Sequence, residues 1–409
     1  MIDTKDTILA PGLALMVALL ATPIAGRLAW KINAIDMPRA RGLHQMPTPR
    51  LGGLAILLAV ATSSLVFLPH ERQMTGILVG ATVIAIVGAI DDGKELTAEF
   101  KLVGQILAAA IPVAAGVRVE SMTLPFLGHI SLSPALAYGL TILGLVILMN
   151  IVNFIDGVDG LAAGVCTIAA ATFATISLSL DREVAGVLAL IVAAATLGYL
   201  RHGFAPASIF LGDSGSNLLG FLLGTIVIQG ALKTNAVVAL VFPLVVLAVP
   251  IFDTGYVIAK RIKYKRPVYK ADKAHLHHRF ARIGFSARRT ALYLYGWTLT
   301  LAALALALRF VPYSDDHGHF HWNWVAVLAG FGVLAAAASV YLVLVLEILK
   351  LKRWREFQLR RASALAGEPI PADAEVREQV ERELETGEFP AVRHLEAGES
   401  APPAGRRRR

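Results

Sequence analysis

Long apolar runs alternate with short polar breaks along the chain from Thr7 to Leu346. Because a transmembrane helix needs roughly 20 apolar residues, each run predicts one membrane span. The pattern therefore predicts an all-α polytopic integral membrane protein with about eleven transmembrane helices. The predicted spans cover residues 7–30, 51–68, 74–90, 100–116, 135–152, 161–180, 183–200, 215–232, 236–258, 290–311 and 322–347.

Lysine and arginine are concentrated in alternate predicted loops, most densely over Lys260–Arg289 and again at Leu351–Arg361. Basic loops are retained on the cytoplasmic side, so the C-terminus, which follows a basic segment, is expected in the cytoplasm. Because the number of predicted spans is odd, the N-terminus is then expected to be external. Residues 1–350 are expected to form the membrane domain. Residues 351–409 are expected to form a basic juxtamembrane segment and a mostly disordered tail, with a short charged helix over 374–388 as the less favoured alternative.

Composition agrees with a membrane protein and narrows its partners. The chain is 56% hydrophobic and 17% charged, its mean hydropathy is +0.62 and its net charge is +8. Basic cytoplasmic flanks favour anionic lipids and phosphorylated substrates, and no motif indicates nucleic-acid binding. Cys166 is the only cysteine, which excludes a disulfide framework and a thiolate metal cluster.

Chemically active side chains gather in the loops predicted to be cytoplasmic. Carboxylates at bilayer depth are costly, and those at the C-terminal end of a helix also oppose its dipole, so a nearby cation is expected. For the first pair, acids that snorkel or pair with lysine at the headgroup level are the less favoured alternative. The candidate residues are Asp91 and Asp92 after the third span, Asn150 at the end of the fifth span, Asn153, Asp156 and Asp159 after it, Asp213 after the seventh, and His275, His277 and His278 after the ninth.

The spacing of the second cluster indicates a site for a metal and an anion. Asp156 and Asp159 would share one face if this segment opened the sixth helix, and each precedes a glycine that permits close ligand approach. Hard oxygen ligands beside substrate phosphates are what Mg²⁺ prefers. An aspartate N-cap with a turn-forming partner is the alternative. For the histidines, phosphate contact is favoured over zinc binding or a solvated basic loop.

Five ordered signatures resemble the polyprenyl-phosphate N-acetylhexosamine-1-phosphate transferases, and the likeness extends from about Asp36 to Phe280. The signatures are DMPRARGLHQMPTPRLGG, which includes Arg50, then Asp91-Asp92 with Lys101 and Gln105 downstream, NFIDGVDGLAAG, IFLGDSGS and HLHH. HLHH followed by arginine resembles the GlcNAc-1-phosphate (WecA-like and TagO-like) branch. The phospho-MurNAc-pentapeptide transferases are the second choice within the family.

The resemblance implies a reaction and a role for each residue. UDP-N-acetylhexosamine would donate a sugar 1-phosphate to a polyprenyl phosphate at the cytoplasmic face of a bacterial inner membrane, with Mg²⁺ or, in its place, Mn²⁺. Asp213 would be the main metal ligand and Asp91 would lie nearest the acceptor phosphate, supported by Asp92. Asn153, Asp156 and Asp159 would hold the nucleotide side or the metal shell. The remaining implied contacts are to nucleotide or phosphate, through Arg50, Lys101, Asn150, Phe210, His275, His277 and His278.

Two points depart from this expectation or compete with it. The family usually has asparagine ten residues before the FLGD aspartate, where this chain has Gly203, so a nucleoside contact is missing or is supplied by His202. A cation-coupled secondary transporter is the competing class, although transporter sites usually lie near the membrane midplane. A homodimer is left open by the sequence.

Overall fold

The computed structural model describes residues 3–37, 46–124, 128–230, 286–312, 321–345 and 372–386, with short pieces at 356, 359–360 and 363–364. Its helices are α1 (Thr4–Lys31), α2 (Gly52–Phe67), α3 (Arg72–Lys94), α4 (Ala98–Ala114), α5 (Pro134–Ile155), α6 (Leu161–Leu178), α7 (Glu183–Gly203), α8 (Gly212–Gly230), α9 (Ala287–Phe310), α10 (Trp322–Val345) and α11 (Asp373–Thr386). Two antiparallel hairpins pair β1 (Ile35–Asp36) with β2 (Thr48–Pro49) and β3 (Ser121–Leu124) with β4 (Gly128–Ser131).

Seven of the described helices are long and apolar enough to cross a membrane, namely α1, α3, α5, α6, α7, α9 and the first part of α10. Helix α2 is also apolar but shorter. Each predicted span that falls on described residues coincides with a helix, and the span over 236–258 lies outside them. The chain is therefore a mostly helical, multi-pass membrane protein. The count of eleven spans and their orientation stay predictions.

Small residues allow the helices to pack closely, as is usual when lipid surrounds a bundle. The buried positions of α1 are almost all alanine or glycine at helical spacing, and they face α7 and α2. On α7, a Cβ at Gly198 would collide with the backbone carbonyl of Leu15. The opposite side of α1 exposes large apolar side chains such as Leu20 and Ile24, which suits contact with lipid.

Helix α8 occupies the middle of the bundle. It contacts α2, α3, α5, α6 and α7, and nearly every residue from Ser214 to Ile226 is buried. Glycines permit the closest crossings, because a Cβ on Gly53 of α2 or Gly88 of α3 would overlap the backbone at the start of α8. The first turn of α8, which carries Asp213, is thus held in the centre of one end of the bundle.

The polar tail contains one described helix, α11, over Asp373–Thr386. This is the short charged helix that the sequence presents as the less favoured alternative for the segment. Asp373 pairs with Arg360 at 2.6 Å, and Val376 and Val380 are buried. The other tail residues, apart from the short pieces between 356 and 364, lie outside the described part of the chain.

Candidate active site

Four helix ends bring the predicted aspartates together at one end of the bundle. Helices α3 and α5 end there, whereas α4 and α8 begin there, so residues far apart in sequence become neighbours. Asp91 and Asp92 lie in the last turn of α3 and are 4% and 8% exposed. Two nearly buried carboxylates beside a helix C-terminus require compensation, and the structure provides a different partner for each of them.

Asp92 caps the first turn of α8. Its Oδ1 accepts a hydrogen bond from the backbone N–H of Asp213 at 2.8 Å, and its Oδ2 accepts one from the N–H of Ser214 at 3.1 Å. Gly212 has a φ of 74°, and a Cβ there would overlap the Asp92 carboxylate, so glycine is required at this approach. A carboxylate at a helix N-terminus is stabilising. Asp92 therefore positions Asp213, and the catalytic support predicted for it stays a prediction.

Lys101 joins two of the aspartates. Its Nζ forms an ion pair with Asp91 and another with Oδ2 of Asp213 at 3.0 Å. The other oxygen of Asp91 accepts from the backbone N–H of Leu96 at 2.7 Å. The lysine pair that the sequence offers as the less favoured alternative is present at Asp91. Because the same ammonium also contacts Asp213 from α8, the arrangement is a three-residue bridge across the site.

A chain of amides holds Asp213 from its other side. Asn153 donates to Oδ1 of Asp213 at 2.7 Å and to Oγ of Ser216 at 2.8 Å. Behind it, Asn150 donates to Gln105, Gln105 donates to Asn217, each at 2.8 Å, and Asn217 donates to the Asp213 carbonyl at 2.9 Å. Asn150 thus contacts helix α4 inside the bundle, and its predicted substrate contact stays a prediction.

Asp156 and Asp159 lie in the loop between α5 and α6. Both precede α6, which begins at Leu161 after Gly160 with a φ of 75°, so the shared helical face expected from their spacing does not form. The N-cap alternative is not seen either, because Gly160 occupies that position. Asp159 accepts from the backbone N–H of Ala207 at 3.0 Å and so braces the loop that leads into α8.

Negative charge accumulates around Asp156. Burial is the largest cause that raises the pKa of this carboxyl well above its usual value, and the charges of Asp213, Asp92 and Asp159 add to it, while Arg50 opposes them. The cluster would therefore be stabilised by a further cation.

The first sequence signature is tied to the same site through its backbone. Phe210 donates its N–H to the carbonyl of Pro49 at 2.8 Å and accepts from Gly52 at 3.0 Å. Arg50 pairs with Asp36 at 2.5 Å across the β1–β2 hairpin. Phe210 and Arg50 therefore lie at the rim of the aspartate cluster. Residues 38–45 of this signature lie outside the described part of the chain.

The described side chains do not form a complete metal site by themselves. Among the described residues, no group of three or more His, Cys, Asp or Glu side chains could hold a metal ion. His275, His277 and His278 lie outside those residues, so their predicted roles are untested. Mg²⁺ usually takes only one or two carboxylates, with water and substrate phosphates completing its shell, so Asp213 with its neighbours is a donor set of the right chemistry.

Some supporting residues carry no signal in the sequence. Tyr295 of α9 donates its hydroxyl to the Gly160 carbonyl at 2.6 Å, and its ring fills the space beside Gly164. Arg288 lies over the ring of Phe204, with its Cζ 6.0 Å from the ring centre. Both lie on α9, outside the five signatures: Tyr295 falls within a predicted apolar span, and Arg288 belongs to the basic stretch that precedes this span.

The departure at Gly203 has a steric reason. A Cβ there would overlap the ring of Tyr199, which donates its hydroxyl to the Ile209 carbonyl at 3.1 Å. His202, the proposed substitute for the missing asparagine, lies 3.3 Å from the Leu19 carbonyl of α1 through its Nε2. The imidazole of His202 therefore contacts α1, and its carbonyl accepts from Ser208.

Comparison with known proteins gives a consistent result. Residues 74–231 match the family model described as glycosyl transferase family 4. The probable undecaprenyl-phosphate N-acetylglucosaminyl 1-phosphate transferase of Bacillus subtilis is 40% identical over 283 residues, which is 69% of this chain and 79% of the relative. The decaprenyl-phosphate N-acetylglucosaminephosphotransferase of Mycobacterium leprae is 37% identical over 316 residues, with the same two coverages. A phospho-N-acetylmuramoyl-pentapeptide-transferase of Desulforudis audaxviator is 32% identical over 327 residues, covering 71% and 94%.

Proposed function

Because this chain belongs to glycosyl transferase family 4, with the N-acetylglucosamine-1-phosphate transferases among its relatives, we propose that it makes a polyprenyl diphosphate sugar. It transfers N-acetylglucosamine 1-phosphate from UDP-GlcNAc to undecaprenyl or another polyprenyl phosphate and releases UMP. This is the first membrane step of a cell-envelope polysaccharide. The observation that carries the proposal is the Lys101 bridge between Asp91 and Asp213, which places one cation between carboxylates from two helices.

The reaction joins two anions, so the site has to reduce their repulsion before they can meet. An oxygen of the acceptor phosphate forms a bond to the β-phosphorus of the nucleotide sugar. The bond from that phosphorus to the bridging oxygen breaks, and UMP leaves with the oxygen. A phosphate monoester has a second pKa of about 6, so the nucleophile is largely ionised at neutral pH. Asp91 accepts any remaining proton, and Lys101 contacts the phosphate oxygens.

Mg²⁺ fits the negative cluster around Asp213, and when bound it supplies charge neutralisation at the diphosphate. Both carboxylate oxygens of Asp213 take hydrogen bonds, from Lys101 and Asn153. The release of Lys101 from Asp213 to a substrate phosphate would free one oxygen as a ligand. Asp92, through the α8 amides, keeps that carboxylate in place.

The nucleotide is expected on the side of the site formed by the α5–α6 loop and the rim. Asp156 and Asp159 hold this side, Arg50 contacts phosphate and Phe210 stacks on the uracil. His275, His277 and His278 bind phosphate oxygens from the segment before α9. The lipid-linked acceptor enters from the bilayer. Because the basic loops indicate the cytoplasmic side, the site faces the cytoplasm of a bacterial inner membrane.

Product analysis tests the proposal. Membranes that contain the chain should release UMP from UDP-GlcNAc when Mg²⁺ and undecaprenyl phosphate are present, and mass spectrometry should find N-acetylhexosamine on the lipid diphosphate. Asp213→Asn should abolish release while the protein still inserts and purifies.

The similarity to the Desulforudis audaxviator enzyme makes the muramyl-pentapeptide transferase the second candidate. Release of UMP only from UDP-MurNAc-pentapeptide would favour it. Solute uptake that survives Asp213→Asn, without UMP release, would instead favour a transporter. The position of the aspartates at helix ends supports a surface reaction over a site at the midplane.

A further inference from the structure

Helix α4 reaches α8 through two side chains that lie one turn apart. Lys101 and Gln105 are four residues apart on α4, so they share one face of the helix. Asp213 and Asn217 have the same spacing on α8. Lys101 contacts Oδ2 of Asp213 at 3.0 Å, and Gln105 donates its Nε2 to Oδ1 of Asn217 at 2.8 Å. The two contacts therefore form an outer and an inner rung, about 6 Å apart along the helices.

The two rungs differ in their access to solvent. The side chain of Lys101 is 40% exposed, whereas the residues of the inner rung, Gln105 and Asn217, are only 5% and 7% exposed. The outer rung is thus open to a substrate, and the inner rung is closed to it. A substrate phosphate can take Lys101 away from Asp213, but the bond between Gln105 and Asn217 stays in place.

Backbone carbonyls, which only accept, fix the direction of the hydrogen bonds around the inner rung. Asn217 donates to the carbonyl of Asp213 at 2.9 Å, so its own oxygen faces α4 and requires a donor. Asn150 donates to the carbonyl of Val146 and to Oε1 of Gln105, both at 2.8 Å. Gln105 therefore donates to α8 and accepts from α5 at the same time, which an apolar side chain cannot do.

The end of α4 that carries Lys101 needs an anchor. This helix packs on α3 and α5, and its N-cap residue, Thr97, makes no side-chain hydrogen bond to the first turn. A first turn without such a cap is less stable, and the four-carbon stem of lysine is flexible. Gln105, one turn further along α4, supplies a buried contact with α8.

We propose that Gln105 is a positioning residue: its bond to Asn217 keeps α4 in register with α8, so that the ammonium of Lys101 stays at the reacting phosphates after it leaves Asp213. The inference rests on the proposed function, because it assigns Gln105 to the same reaction. Gln105 itself is closed to the substrate and acts through Lys101.

A double-mutant cycle on UMP release tests the inference. Gln105→Met keeps the length of the side chain but removes both its donor and its acceptor. It should lower kcat about tenfold and change KM for UDP-GlcNAc by less than about threefold, because other elements bind the nucleotide. Lys101→Met alone should lower kcat roughly 30-fold. If Gln105 acts through Lys101, the double variant should also lose about 30-fold, whereas a loss near 300-fold would mean independent effects and would overturn the inference.

Two further variants localise the effect. Gln229→Met is the matched control, because this glutamine lies at the other end of α8 and donates to Gln73 of α3 at 3.4 Å. It should leave kcat and KM unchanged. Gln105→Asn keeps an amide but is one methylene shorter, so it should lose the bond to Asn217 and lower kcat with a smaller fall in Tm. Wild-type kcat in both Gln105 variants would contradict the positioning role.

Thermal unfolding separates this inference from the proposed function. Lys101→Met should shift Tm less in the Gln105→Met background than in the wild-type chain, because helices that have lost their register can relax around the two carboxylates. This comparison needs no turnover. Absence of UMP release from the wild-type chain would therefore refute the proposed function alone, whereas equal Tm shifts in the two backgrounds would refute the positioning role alone.

Discussion

Replacing Lys101 with methionine removes the ammonium that lies between Asp91 and Asp213 but keeps a long side chain. Both carboxylates lie within about 3 Å of Nζ, so they are no more than about 6 Å apart. At an effective dielectric constant of 20, two unit charges at 6 Å repel by about 3 kcal/mol. Because 40% of the lysine side chain is exposed, solvent screening reduces this to about 2 kcal/mol.

A penalty of about 2 kcal/mol that is felt when the anionic acceptor approaches the reacting centre corresponds to a roughly 30-fold loss of kcat. The assay is UMP release from UDP-GlcNAc across a Mg²⁺ titration, with Tm measured in parallel to separate catalysis from folding. Lys101→Arg keeps the charge and should retain a larger share of the activity. Lys94→Met, at an exposed lysine near the end of α3, is the matched control. A loss below about threefold in Lys101→Met, or an equal loss in the control, would refute the electrostatic reasoning.

Three further substitutions separate positioning from chemistry. Asp92→Asn removes one of the two acceptors that cap α8 and should lower the free energy of unfolding by about 1 to 2 kcal/mol, measured by thermal unfolding. Asp213→Asn should instead abolish UMP release with a smaller change in Tm. A larger loss of Tm in Asp213→Asn than in Asp92→Asn would contradict the assignment. Asp156→Asn should abolish turnover yet raise Tm at pH 7, because a carboxyl whose folded-state pKa is raised destabilises the fold once pH exceeds its usual pKa of about 4. That gain should vanish as the pH falls towards 4, and a gain independent of pH would disprove the linkage. Tyr295→Phe leaves the Gly160 carbonyl without its donor and should raise KM for UDP-GlcNAc several-fold with a smaller change in kcat, whereas Tyr341→Phe, at an exposed ring on α10, should change neither.

The helices were the most predictable part of this protein, because the bilayer imposes a minimum apolar length that is visible along the chain. The boundaries from α1 to α8 fall within a few residues of the predicted spans. The α5–α6 loop is the clearest local difference. A three-residue spacing of Asp156 and Asp159 is compatible with a helix or a turn, and the left-handed backbone at Gly160 ends the turn before α6 can include them.

The aspartates of the site were identifiable in sequence, but their partners were not. A carboxylate near hydrocarbon is costly wherever the chain folds, so Asp91, Asp92 and Asp213 stand out by composition alone. Nothing in the local sequence indicates that Asp92 accepts from the first amides of α8, or that Asn150 faces Gln105 rather than a substrate. These pairs join residues 45 and 121 positions apart, so they depend on how helices pack.

The sequence by itself determined that this is a membrane protein with its acids at helix ends, because solvation in lipid acts on each segment separately. It also carried the ordered signatures of the transferase family. The tertiary structure alone decided which acid holds α8, which shares Lys101 and which faces the open loop. Those differences arise because hydrogen bonds and ion pairs act over a few ångströms, and only the packed helices bring the groups within that range.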